Sequence, residues 1–212
     1  MKSEARELFD TVIRNNYCIG CGACATVENS PFCIGMDHFG NIVADAIGDL
    51  NEFKPTILDI CPFSGKSKNE TDISEIIFND LPYYDFRIGK YVENYAGYVN
   101  EELVRAQGSS GGLGRWLGYV LLKEGKVDYF VHVVPIRVRD SSSPLFDYEV
   151  TNDKDEALNG SKSCYYPVSL LNVIRAIRKT EGRYAITGIP CFIKTLRLLS
   201  LNDSILNSRI KY

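Results

Sequence analysis

The seven residues Cys18-Ile19-Gly20-Cys21-Gly22-Ala23-Cys24 constrain this chain more than any other segment. Three thiols recur at C-x2-C-x2-C spacing, and most of the residues between them are Gly or Ala. Such residues let the backbone wrap closely and aim N–H groups at sulfur. A tight loop of this kind supplies three thiolates to a four-iron cluster, and a distant Cys-Pro supplies the fourth. Cys61-Pro62 is that dipeptide here. The reading is one 4Fe-4S cluster in residues 14–65, held by Cys18, Cys21, Cys24 and Cys61. Zinc also uses C-x2-C, but usually as two separated pairs.

The spacing is that of bacterial ferredoxins, whose two-cluster forms carry two copies of C-x2-C-x2-C-x3-C-P. The last cysteine of each copy serves the other copy's cluster. In this chain the fourth position of the first copy is Glu28. The first three positions of the second copy, counted back from Cys61, are Asn51, Lys54 and Ile57. All four lost positions belong to one cluster and all four retained cysteines to the other. The segment therefore reads as a ferredoxin-type unit that kept one cluster. Cys33 has no partner spacing and reads as a buried free thiol.

Composition narrows the class. With 45% hydrophobic and 24% charged residues the chain is ordinary globular material. The formal net charge of −3 is well mixed, with no basic patch, so nucleic acid is not an expected partner. The longest apolar run, 129–135, is strand-sized and far short of a membrane span. The mixed-charge start, Met1 to Glu7, is unlike a signal peptide. A cytoplasmic location follows as the expectation. In a reducing compartment, seven cysteines point to metal or redox chemistry rather than disulfides.

Periodicity gives a coarse map. Residues 1–13 read as a short helix, 40–43 as a strand, and 66–90 as a polar linker with a helix near 73–78. Beyond residue 91, strands are expected at 95–99, 127–134, 146–150 and 183–187. Helices are expected at 113–123, 167–179 and 192–199. The expected fold class is a small α+β ferredoxin-like domain followed by an α/β flavin-type domain that is incomplete. The divisions are 1–65, a linker at 66–90, and 91–212.

Gln107-Gly108-Ser109-Ser110-Gly111-Gly112, Gly160-Ser161-Lys162 and Gly188-Ile189-Pro190-Cys191 follow the N-terminal cysteines in order. With this sequence of motifs the chain, from about residue 14 to its end, resembles the beta subunit family of coenzyme F-420 (deazaflavin) hydrogenases and dehydrogenases. The resemblance implies an iron–sulfur flavoprotein oxidoreductase subunit that moves electrons between a 4Fe-4S cluster and FAD. Coenzyme F-420 is a further carrier that some members reduce. The implied partner is a redox protein or a small electron acceptor. Related bacterial proteins occur among polysaccharide-synthesis enzymes. A non-enzymatic electron-transfer or partner-binding module in that setting is the alternative.

Within that resemblance, Ser109, Ser110, Gly111 and Gly112 precede a helix start and suit a flavin pyrophosphate. Gly160, Ser161 and Lys162 fall in the flavin-binding part, with Ser163 where many relatives carry Tyr. Cys191 opens a helix and would ligate a second cluster only if further cysteines lay downstream. The sequence reads as C-terminally truncated, ending on an opening strand, so an exposed sheet edge is expected beside 184–187. His38 reads as a turn residue and His132 as a satisfied core residue. Neither has a Ser or Cys partner at hydrolase spacing.

Overall fold

The structure is a computed structural model in which residues 3–51, 56–137, 144–159 and 165–212 are described. It is a mixed α/β molecule, with three small sheets among the described residues. Helix α1 (Glu4–Leu8) is capped by Ser3 and runs on into a π-helical turn at Phe9–Ile13. It buries Ala5, Leu8 and Val12. The Glu4 carboxylate accepts the backbone N–H groups of Ile57 at 2.9 Å and Leu58 at 3.3 Å, fixing the strand-less segment before Cys61. After the cysteine loop and a 3₁₀ turn at Ala23–Thr26 come β1 (Phe32–Met36) and β2 (Ile42–Ala46), an antiparallel hairpin.

Helix α2 (Glu70–Ile77) begins with a capping box, in which Asn69 and Asp72 satisfy each other's backbone N–H. The linker region also holds a hairpin, β3 (Tyr83–Asp85) with β4 (Gly89–Tyr91), which periodicity did not reveal. The expected strand at 95–99 is absent. Tyr95 and Tyr98 are exposed there, and Val99 donates a single backbone bond to Gly111. Helix α3 (Glu102–Gln107) follows, and then α4 (Leu113–Lys123), with the bounds periodicity gave it.

The main sheet has three strands in the order β6-β5-β7: β5 (Tyr129–Pro135) in the centre, β6 (Phe146–Thr151) antiparallel to it and β7 (Tyr184–Ile186) parallel. Helices α5 (Lys154–Leu158), α6 (Leu171–Lys179), α7 (Pro190–Asn202) and α8 (Ser204–Arg209) complete the chain. The far edge of β7 is not bare as expected. Tyr184 bridges Ile210, and Ile186 N–H donates to Tyr212 O at 3.0 Å, so residues 210–212 run beside it.

One apolar cluster extends through both halves, from Leu8, Phe32 and Ile57 to Ile174, Leu196 and Leu206. Packing joins the cysteine loop to α6. Leu170 N–H donates to Cys21 O at 3.0 Å, and Arg178 reaches across to Thr26 O while pairing with Asp203 at 2.8 Å. No helix among the described residues is long and apolar enough to cross a membrane.

Candidate cofactor sites

The cysteine loop is tight for steric reasons. Gly20 has φ +65°, and a Cβ there would lie 2.2 Å from Ile42 O. Gly22, at φ +87°, would drive a Cβ into Ser169 and Leu171. The loop thus nests between β2 and the start of α6. It brings Cys18, Cys21 and Cys24 together with Cys61 around one small apolar cavity, whose other walls include Leu8, Ile34 and Phe63. All four thiols are free. Backbone N–H groups point at each of them: Ala44 at Cys18 Sγ (3.3 Å), Ala23 at Cys21, Ala25 at Cys24, and both Phe63 and Ser64 at Cys61.

Burial raises the Cys21 and Cys24 thiols, Cys24 strongly, and pushes Cys61 up to about 12. The neighbouring cysteines add to each shift. Packed together in apolar surroundings, these groups give up their protons only to a compensating cation. Among the described residues, no three His, Cys, Asp or Glu side chains converge tightly enough for a single metal ion. Of the positions assigned to the lost cluster, Ile57 is fully buried, Glu28 and Asn51 are exposed, and Lys54 lies outside the described residues.

A second cavity, of ≈ 530 Å³, opens beside the first. That is within the range of small-ligand sites. Ile19, from the cysteine loop, lines both. On the α4 side the walls are Gly108, Ser109, Gly112, Gly114 and Arg115. The sheet contributes Phe130, His132, Val133 and Tyr148. Thr187, Gly188, Ile189 and Phe192 come from the β7–α7 turn, and Tyr165 to Val168 from the approach to α6. The cavity therefore sits where chain leaves the carboxyl end of β7, the usual place for ligands in α/β sheets.

Of the residues expected on sequence grounds, Ser109 and Gly112 reach this cavity. Ser110 and Gly111 do not line it. Gly111 (φ +91°) faces Tyr98, where an added Cβ would come within 3.1 Å. Gly160, Ser161, Lys162 and Cys164 lie outside the described residues. Cys191 begins α7 close enough to Cys21 and Tyr148 to influence both, and the Thr195 hydroxyl bonds Cys191 O (2.9 Å) and interacts with Cys21. It stands near Cys21 of the four-thiol cavity. His132 does not match the satisfied core residue expected. It is 4% exposed, and its Nε2 is buried with no hydrogen-bond partner. The nearest acidic atom, Glu149 Oε2, is 3.6 Å away, beyond hydrogen-bond distance. Sequence reasoning missed Arg115, Tyr148, Phe192 and Ile19 as cavity residues. Arg115, Tyr148 and Phe192 carry no local motif, Ile19 is only a spacer within the cysteine motif, and the tertiary fold alone brings them to one cavity.

Comparison with known proteins adds a likeness over part of the chain. Residues 94–175 match the model for the coenzyme F420 hydrogenase/dehydrogenase beta subunit, N-terminal part. Among solved structures, a chain of the F420-reducing [NiFe] hydrogenase complex from Methanosarcina barkeri matches at 15% identity and a TM-score of 0.45. The match covers 53% of this chain and 39% of that one. This chain therefore spans well under half the length of that structural relative. No curated protein matches. The matched stretch, residues 94–175, includes the Gly108–Gly112 turn, Arg115 and His132, and over that stretch the chain is similar to the coenzyme F420 hydrogenase/dehydrogenase beta subunit, N-terminal part.

Proposed function

We propose that this chain is an oxidoreductase subunit in which a 4Fe-4S cluster, held by Cys18, Cys21, Cys24 and Cys61, exchanges electrons with a flavin nucleotide in the ≈ 530 Å³ cavity. The observation that carries the reading is Ile19, a single side chain lining both the four-thiol cavity and the larger one. Two redox groups placed there would be separated by little more than that residue.

The donor set fits the cluster. Four thiols with N–H groups aimed at their sulfurs are the ligand shell such a cluster takes. A single zinc would draw four sulfurs to within about 2.3 Å of one point; a four-iron body spreads them over its corners, which suits thiols around a cavity. The larger cavity fits a flavin nucleotide: Gly108, Ser109 and Gly112 at a helix start suit its phosphates, and Tyr148, Tyr166, Ile189 and Phe192 offer apolar and aromatic surface for a ring. When bound, the cluster supplies one-electron steps and the flavin two-electron chemistry.

The chain's own residues hold and enclose these groups. The cysteine loop turns its thiols toward the smaller, mostly apolar cavity, and Val168 and Phe192 line the larger one together with Ile19. In this reading residues 1–65 form the cluster-binding unit and 91–212 the flavin-binding unit, working in the cytoplasm with a redox partner.

Anaerobic purification, with iron, sulfide and flavin analysis alongside a visible spectrum, tests the reading. About four iron and four sulfide per chain are expected, with a broad shoulder that structured flavin bands join on adding FAD. A colourless protein that holds zinc and takes up no flavin would overturn it.

A further inference from the structure

The α4 side of the large cavity is charged in a way its protein neighbours do not balance. Arg115 sits in the first turn of an 11-residue helix whose N-cap, Gly112, makes no side-chain cap bond. The N–H groups of that turn have no intrahelical acceptor and carry partial positive charge. Arg115 Nη1 donates to Leu158 O at 3.1 Å, and among the described residues no carboxylate pairs with this guanidinium. Burial lowers its pKa, which means the cation is partly stripped of water without a counter-charge. Close by, near enough to feel the Arg115 charge, His132 keeps its Nε2 buried and unbonded. Leaving such a group unsatisfied is destabilising, which a ligand acceptor would relieve. Both side chains line the same cavity.

We propose that Arg115 and His132 form the diphosphate-recognition pair of this cavity, with Arg115 neutralising the anion and His132 donating to one of its oxygens, for a ligand of the nucleotide-diphosphate class; the assignment rests on the flavin-nucleotide reading above. A guanidinium matches phosphate geometry with paired N–H donors, which a lysine cannot do. The diphosphate would supply the partner that His132 Nε2 lacks among the described residues. The start of α4 lies on the same wall, so backbone donors and Arg115 would act on the same group.

The test uses the full chain, purified with its metal complement, and three probes: FAD, ADP and riboflavin. ADP carries the diphosphate without the flavin ring, and riboflavin the ring without phosphate. Arg115→Met should weaken FAD and ADP about ten-fold or more, the scale of a lost charge-assisted bond. It should leave riboflavin within about two-fold, and Arg115→Lys should restore only part of the loss. His132→Leu should weaken FAD and ADP while the unliganded protein melts at the same temperature or higher, because the change removes an unsatisfied buried polar group. Unchanged FAD affinity in Arg115→Met, or an equal loss of riboflavin, overturns the pair. If wild type binds ADP but not FAD and Arg115→Met loses ADP, the pair stands and the flavin reading falls. Binding of none of the three probes by wild type overturns both.

Discussion

His132 lies on the central strand with its imidazole almost wholly enclosed, and burial, with the Arg115 charge adding to it, pulls its pKa from 6.5 down to about 4. The charged groups facing it are Arg115 from α4, Glu149 across the pair with β6, and Glu156 from α5, which opposes the shift. Between about pH 6.5 and about 4 the unfolded chain therefore binds a proton that the folded chain does not. Stability should fall as pH drops through that window and level off below it. His132→Leu should flatten this slope, so that the variant gains on wild type by something on the order of 1–3 kcal/mol near the acid end. Thermal melts of both proteins across the window check this; parallel slopes would remove His132 as the titrating group. The sequence presented this residue as an ordinary core histidine inside an apolar run. Nothing in the run shows that the partner its Nε2 lacks is missing, because that is decided by what β6, α4 and α5 bring around it.

Elements were legible in the sequence where local chemistry and packing agree. Helix α4 kept its expected bounds because Gly112 and Gly125, both at positive φ, mark its two ends. Helix α6 was legible from its apolar stripe, and Val173, Ile174 and Ile177 are buried on it. Helix α3 was missed because it buries no residue, and β3–β4 because none of its six residues is buried either. The strand expected at 95–99 did not form for a related reason: among the described residues no neighbouring strand pairs with that segment, so it has no ladder to join. Helix α6 also carries a stability prediction. Ile174 is fully buried in the cluster that spans both halves of the chain, so Ile174→Ala should cost roughly 2–5 kcal/mol. Arg175, exposed on the opposite face, should tolerate Ala within about 0.5 kcal/mol. Urea midpoints at constant m-value measure both.

At the scale of the molecule, the cysteine spacing singled out four thiols that the fold brings around one cavity, but it did not reveal how that loop relates to the rest of the chain. A reading by segments separates residues 1–65 from 91–212 by a linker. The folded chain joins them through a common core, the Leu170–Cys21 backbone bond, the Arg178–Thr26 bond, and Gly22 against Ser169 and Leu171. Since Ile19 lies between Cys18 and Cys21 and also lines the large cavity, whatever orders the cysteine loop orders one wall of that cavity. Cys24→Ser removes one of the four proposed cluster ligands without touching the lining of the large cavity, because Cys24 faces only the smaller space. If the two sites are coupled as this packing implies, the variant should lose the cluster's absorbance and also bind FAD several-fold more weakly, about 1 kcal/mol. Its thermal unfolding should move to lower temperature as one transition, since metal-binding energy is folding energy for the whole shared core. Titration with FAD and a melt of the same preparation are the measurements. Unchanged FAD affinity, together with a second transition at the wild-type temperature, would mean that the cluster unit and the nucleotide unit fold and bind independently, and that Ile19 separates the two sites without linking them.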